Sequence, residues 1–196
     1  STKLADELQN SPSLNMLNMR YVIRHPELPP VHNPYAYGNA WFVREYAVVN
    51  NADEEMAALA TLKPLEKAVL DKRFAKEVEG LTIVPDSAAT IVMTAYKPNM
   101  VAYKSKAAGD QLAVFSEVYY AHGWQAYIDG KEVPHFRTDW LLRGLKVPAG
   151  EHEIVFKFEP TEYNSMATFA TVSSGLLVVL LIVFVVFGLL GKKKEE

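Results

Sequence analysis

Aromatic residues crowd one short stretch of the sequence, SEVYYAHGWQAYIDGKEVPHF (residues 116–136), around an Asp129-Gly130 pair. Aromatic rings can stack on the apolar face of a sugar while neighbouring polar side chains bind its hydroxyl groups. On this interpretation the candidate glycan-binding residues are Tyr120, Trp140, Glu117, His122, Asp129 and Arg143. The alternative is that the rings are structural: Trp124 and Phe115 fill the interior of a β-sheet and the tyrosines lie at its border. The pattern favours the structural role and leaves an outward platform open.

Other kinds of chemistry find little support in the residue pattern. The chain has no cysteine, and its five histidines show no close pairing with ligand spacing, so we expect no metal site and no cofactor. It carries neither a Gly-x-Ser-x-Gly nucleophile motif nor a glycine-rich phosphate loop, and we identify no catalytic residue. Glu54 and Glu55 fit the solvated first turn of a helix capped by Asn51. A net charge of −3 argues against nucleic acid as a partner.

A two-residue hydrophobic period dominates from Ala88 onward and predicts a series of short strands. In EHEIVFKFE (residues 151–159), His152, Ile154, Phe156 and Phe158 share one face, as in a sheet with one dry side. Asp129-Gly130 fits a type I′ hairpin turn. The pattern predicts a mainly β fold: an antiparallel β-sandwich, jelly-roll-like or similar to a carbohydrate-binding module, with a small helical decoration and one C-terminal transmembrane helix.

The domain organisation follows from changes in this pattern along the chain. The first part, 1–52, contains predicted strands at 19–25 and 41–49, and 53–87 reads as a helical or mixed insertion. Residues 88–162 hold the core strands of the sandwich. Residues 163–191 form the transmembrane helix, and 192–196 form a tail.

The C-terminal segment has the composition of a membrane span. No charged residue lies between Glu162 and Lys192, and this gap exceeds the roughly 20 apolar residues that span a bilayer. Lysines at 192–194 follow it, so the positive-inside rule places the tail in the cytoplasm and the β domain outside the membrane. The sequence opens Ser-Thr-Lys-Leu without an apolar signal region, and we expect it to be the C-terminal part of a larger membrane protein.

Four segments together resemble the C-terminal end of YfhO-type bacterial membrane proteins: LNMRYVI (17–23), NPYAYGNAWFV (33–43), FSEVYYAHGWQAYIDGK (115–131) and VPAGEHEIVFKFEP (147–160). The resemblance covers most of the part before the apolar segment. In that family a Pro-Gly precedes the tryptophan, whereas Ala121 and His122 stand before Gly123 and Trp124 here.

The resemblance implies a setting and a role. The family is similar to GT-C glycosyltransferases, which use a lipid-linked sugar donor and an acidic residue in an early loop, and nothing in this chain corresponds to that loop. The resemblance implies a non-catalytic extracytoplasmic domain and last helix of an envelope-glycan glycosyltransferase in the bacterial inner membrane. Its expected partners are membrane lipid, a cell-envelope glycan and the remaining helices of the parent protein. The alternatives are a free-standing membrane-anchored glycan-binding module and a purely structural domain.

Overall fold

The computed structural model describes residues 2–192; side-chain environments are described for these residues except 2–3, 5, 161–165 and 187–192. The helices are α1 (Thr2–Gln9), α2 (Pro12–Met16), α3 (Ala52–Ala58), a 3₁₀ helix (Lys72–Val78) and α4 (Thr161–Lys192). The strands are β1 (Tyr21–Val22), β2 (Val31–His32), β3 (Ala40–Val43), β4 (Glu45–Val49), β5 (Lys67–Asp71), β6 (Thr90–Lys97), β7 (Met100–Ala107), β8 (Gln111–Val118), β9 (Trp124–Ile128), β10 (Lys131–Val133), β11 (Phe136–Thr138), β12 (Leu142–Val147) and β13 (Gly150–Phe158). The chain divides into two compact units, Ser1–Phe158 and Glu159–Glu196.

Two antiparallel sheets form the centre of the first unit. One has five strands in the order β10-β9-β13-β7-β6, and the other has four in the order β11-β12-β8-β3. Both contribute to one buried cluster in which Tyr103, Phe115 and Phe156 meet edge to face, with ring centroids 4.8 to 6.3 Å apart. The expected mainly β class with a small helical part is therefore confirmed. The jelly-roll-like type stays a prediction.

The four-stranded sheet is buried on both faces. Its other face packs against a second cluster that includes Leu70 of β5, Val78 of the 3₁₀ helix and Met16 of α2. Strands β4 and β5 run parallel, whereas the expected sandwich is antiparallel; β5 lies in the segment 53–87 that was expected to be a helical or mixed insertion. The reason is local: α3 lies between them and supplies the crossover connection that a parallel pair requires.

The strand expected at 41–49 is two strands in different sheets. β3 pairs with β8, whereas β4 pairs with β5, and the chain changes partner at Arg44, whose N–H donates to Glu66 O at 2.8 Å. The strand expected at 19–25 is only two residues long. Two other expectations are confirmed: β13 alternates as predicted at its centre, where Ile154 and Phe156 are fully buried, and Asp129 and Gly130 both have positive φ.

The second unit is the apolar helix α4. Its segment Met166–Val186 has a mean hydropathy of 2.8 and no residue of its most apolar window is buried, so it could cross a membrane by length and composition. It is the one helix in residues 2–192 that meets this description. Residues 193–196, which carry most of the predicted cytoplasmic tail, lie outside the described residues.

Candidate functional site

A groove of about 590 Å³ runs beside the β9–β10 hairpin. We call it the Trp124 groove; its walls combine rings with polar side chains and are formed by Tyr119, Ala121, Trp124, Gln125, Glu132, Val133, Pro134 and His135. Gln125 lies on β9 and Glu132 lies on β10. These two strands are adjacent and antiparallel, and Glu132 pairs with Tyr127 of β9. An amide, a carboxylate and an imidazole beside aromatic rings are the groups that bind sugar hydroxyls and the apolar face of a sugar.

A buried arginine supports the wall of this groove. Arg143, from β12, is 2% exposed, and its guanidinium lies 4.2 Å from the centre of the Trp124 ring and 5.3 Å from that of Phe156. Its Nε donates to Val118 O at 3.1 Å. The stacked cation occupies one face of Trp124 and fixes the ring, since a desolvated cation–π contact contributes roughly 2 kcal/mol.

The charge of Arg143 acts on two neighbouring groups. Burial raises the pKa of the Glu117 carboxyl above its ordinary value, and the Arg143 guanidinium opposes part of that shift. Burial lowers the pKa of His135 to about 4, and the Arg143 charge adds to this effect, so that the imidazole is neutral at pH 7. Two of the predicted residues, Glu117 and Arg143, therefore interact electrostatically. Arg143 also acts on His135, a residue that the sequence analysis did not indicate.

Three buried polar atoms near Phe156 have no hydrogen-bond partner within the part of the chain that the structure describes. They are Arg143 Nη1, His135 Nε2 and Tyr103 Oη. Phe156 contacts all three residues, with its ring 5.8 Å from that of His135. Most buried polar groups in proteins are hydrogen-bonded, so three unpaired atoms around one ring set this position apart from the rest of the core.

A second polar cluster lies on the other side of the four-stranded sheet, and we call it the Glu55 cluster: Glu55, Asp71, Arg137, Asp139 and Trp140. Glu55 is fully buried, forms an ion pair with Arg137 and accepts from the backbone N–H of Trp140 at 3.0 Å. The expectation that Glu55 is solvated is therefore wrong. α3 packs against β5, and this contact turns the Glu55 side of the helix inward.

Asp139 and Trp140 hold an unusual backbone geometry in this cluster. Their φ values are +50° and +71°, a region that costs non-glycine residues energy. Asp139 Oδ1 accepts from Val69 N at 2.8 Å, and Asp139 N donates to Val69 O at 2.8 Å, so the turn is tied to β5. Burial raises the pKa of Asp139 to about 7, and the Glu55 charge adds to the shift.

The six predicted glycan-binding residues thus occupy different places. Arg143 stacks on Trp124 and Glu117 interacts electrostatically with Arg143, whereas Trp140 belongs to the Glu55 cluster. Tyr120 and His122 contact each other edge to face in the loop after β8, with ring centroids 5.7 Å apart, and Tyr120 is exposed. No single site in the described residues collects all six.

The carboxylate of Asp129 is engaged in contacts within the β domain. Its Oδ2 lies 2.6 Å from His152 Nδ1, and its Oδ1 accepts from Glu153 N at 2.9 Å. The hydrogen bond to Asp129 raises the pKa of His152 above its ordinary value, and the same bond lowers the pKa of Asp129. Both carboxylate oxygens are therefore used to brace the hairpin turn against β13.

Sequence reasoning missed Gln125, Glu132 and His135 as groove residues. The alternation of β9 could have indicated Gln125, since it lies on the opposite face of the strand from Trp124. No local signal marks His135, which reaches the groove through the course of the chain after β10. Within residues 2–192, no group of three or more potential metal ligands is close enough to hold an ion.

The fold and site define a mainly β domain with an aromatic and polar groove, joined to an apolar helix that could span a membrane. Comparisons with known protein families, with curated proteins and with solved structures find nothing that matches this chain.

Proposed function

We propose that this chain is a membrane-anchored, non-catalytic β domain that binds a cell-envelope glycan in the Trp124 groove. In this proposal the domain positions an acceptor glycan for the envelope glycosyltransferase whose C-terminal end the sequence resembles. The observation that carries it is the groove itself, whose lining combines the polar side chains of Gln125 and Glu132 with Trp124, the ring that Arg143 holds in place.

The form of the groove supports a saccharide over other ligands. Its volume of about 590 Å³ suits one to a few sugar rings, and its polar groups can both donate and accept hydrogen bonds. The groove presents one carboxylate, that of Glu132, and no lysine or arginine, so an anionic phosphate ligand is disfavoured.

The proposed location rests on helix α4 and the lysines that follow its apolar segment. A 21-residue apolar segment followed by Lys192 and further lysines supports an inner-membrane anchor with the β domain on the extracytoplasmic side. Lipid and the remaining helices of a parent protein are then the partners of α4.

A purely structural domain is the second candidate. This candidate is favoured because three of the predicted glycan-binding residues, Asp129, Arg143 and Trp140, make contacts within the protein. Phe115 is also fully buried. A binding experiment separates the two candidates.

The experiment is calorimetric titration of the full chain in lipid nanodiscs with a panel of bacterial envelope oligosaccharides. The test variant is Glu132→Ala, which removes a groove carboxylate, and the matched control is Glu27→Ala, an exposed glutamate in the loop before β2. Loss of a hydrogen bond to a charged group corresponds to about a tenfold weaker affinity.

We expect at least one oligosaccharide to bind, with weaker binding to Glu132→Ala and unchanged binding to Glu27→Ala. Absence of binding across the panel would favour the structural domain. Equal weakening by both variants would place the ligand elsewhere.

A further inference from the structure

Exposed apolar and aromatic side chains are concentrated at one end of the two sheets. Among residues 88–158, five large side chains of this type are exposed: Val92, Tyr96, Val118, Tyr120 and Phe158. All but Val92 lie at strand ends or in the loop after β8. Tyr96 is 67% exposed and Val118 is 57% exposed, values that are high for residues of this size.

The strand registers place these residues at the same end. In the five-stranded sheet, Phe158 pairs with Trp124, while Tyr96 and Lys97 pair with the first two residues of β7. β8 ends at Val118, and the oxygen of Val118 accepts from the arginine that stacks on Trp124. Tyr120 follows two residues later. We call Tyr96, Val118, Tyr120 and Phe158 the apolar end.

The opposite end of the sheets has a different surface. Its turns, at residues 108–110, 129–130 and 148–149, contain none of the exposed large apolar side chains, and the one such side chain beside them is Val84, which lies next to Gly109. Carboxylates stabilise two of them: Asp110 accepts from Ala149 N at 3.0 Å and Asp129 pairs with His152. Within residues 88–158 the three exposed rings, Tyr96, Tyr120 and Phe158, therefore all lie at one end of the sheets.

The partner that fits the apolar end is a lipid surface. The chain leaves the β domain at this end, because Phe158 is the last residue of β13 and α4 begins three residues later with a segment that could span a bilayer. Tyrosine rings such as those of Tyr96 and Tyr120 are favoured at the headgroup level, because the ring is apolar while its hydroxyl stays hydrated. Val118 and Phe158 add apolar surface beside them. Lys97, next to Tyr96, adds a cation for lipid phosphates.

We propose that the apolar end is a membrane-contacting surface that places Tyr96, Tyr120 and Phe158 in the interfacial region of the bilayer. It would fix the orientation of the β domain on the lipid surface. This surface adjoins the Trp124 groove, since the Phe158 ring lies 5.5 Å from the Trp124 ring and Tyr120 stands between the groove residues Tyr119 and Ala121. Its role does not depend on glycan binding.

The absence of cysteine in the chain allows a direct test by single-site labelling. Tyr96→Cys and Tyr120→Cys carry an environment-sensitive fluorophore in the full chain, reconstituted in vesicles of phosphatidylglycerol and phosphatidylethanolamine. The matched controls are Val84→Cys, an exposed apolar residue beside Gly109 at the opposite end of the sheets, and Lys131→Cys, at that same end. Quenchers are a headgroup-labelled nitroxide lipid and aqueous iodide.

We expect the nitroxide lipid to quench the probes at 96 and 120 and iodide to reach them poorly, whereas the probes at 84 and 131 show the reverse. Iodide quenching of all four probes would overturn the proposal. Protection of 96 and 120 from both quenchers would also overturn it and would indicate a protein, such as a second copy of the chain, on this surface. Circular dichroism shows that each variant is folded, and no saccharide is present, so the result is independent of the proposed function.

Discussion

At the scale of single residues, the charged groups that constrain the fold most strongly are those that are buried away from water. Arg143 and Glu55 are almost fully buried, and each is held by a specific partner, a ring in one case and an arginine in the other. A buried charge is costly unless it is paired, so these residues define where the surrounding elements must lie.

Asp139 gives a pH-dependent prediction at this scale. Its pKa is raised to about 7 in the folded protein, so the folded state holds a proton that the unfolded chain releases above about pH 4. The contribution of Asp139 to stability is complete below pH 4 and is lost as the pH rises through 7. A pKa shift of this size changes the free energy of unfolding by at most about 4 kcal/mol.

Asp139→Asn keeps the acceptor for Val69 N and removes the titration. We expect the variant to gain stability relative to the natural chain between pH 5 and 8, in urea unfolding of the full chain in detergent followed by tryptophan fluorescence. Asp53→Asn, at an exposed carboxylate of α3, serves as control. If the difference in stability between Asp139→Asn and the natural chain is the same at pH 5 and pH 8, the raised pKa of Asp139 is contradicted.

At the scale of elements, the fold depends on close packing between neighbouring strands. Gly144 of β12 pairs with Phe136 of β11, and a methyl group at Gly144 would lie 2.3 Å from the Phe136 ring. Phe136 is itself fully buried, so its ring has little room to move.

We expect Gly144→Ala to reduce the free energy of unfolding by about 1–3 kcal/mol, the typical cost of overpacking a core. The measurement is urea unfolding of the full chain in detergent. The double variant Gly144→Ala/Phe136→Leu is the rescue, since the smaller side chain relieves the overlap. A single variant as stable as the natural chain would show that β11 can move away from β12.

Local patterns predicted those elements whose neighbours are close in sequence. The alternation in β13, the Asp129-Gly130 turn and the apolar run of α4 depend on adjacent residues and were predicted correctly. The burial of Glu55 depends on Trp140, 85 residues away, and its local sequence is that of an exposed helix turn. The Trp124 groove likewise requires residues from the β8–β9 loop and the chain after β10, which no local pattern brings together.

At the scale of the whole molecule, the β domain and helix α4 are separate compact units, and α4 is long and apolar enough to cross a membrane. The β domain buries its own two clusters and requires no contribution from the helix to complete them. Residues 166–186 of the helix are largely exposed and apolar, a surface that lipid or other apolar helices would cover.

Ending the chain after Phe158 tests this division. We expect the shortened chain to fold with the same far-ultraviolet circular dichroism signature of β structure and to be extractable from membranes by alkaline carbonate. The full chain should remain in the membrane pellet under the same conditions. A shortened chain that is unfolded, or a full chain that is released, would show that the two units are not independent in this way.

The central claim is that a glycan binds at Trp124. The chain has three tryptophans, at 41, 124 and 140, so incorporation of 5-fluorotryptophan gives three fluorine resonances, which single Trp→Phe variants assign. Trp41 is buried in the second cluster and Trp140 lies in the Glu55 cluster, and they act as internal controls. On titration of the full chain in nanodiscs with an envelope oligosaccharide, we expect the Trp124 resonance to shift while the other two stay in place. Movement of the Trp140 resonance alone, or of none across the oligosaccharide panel, would contradict the account.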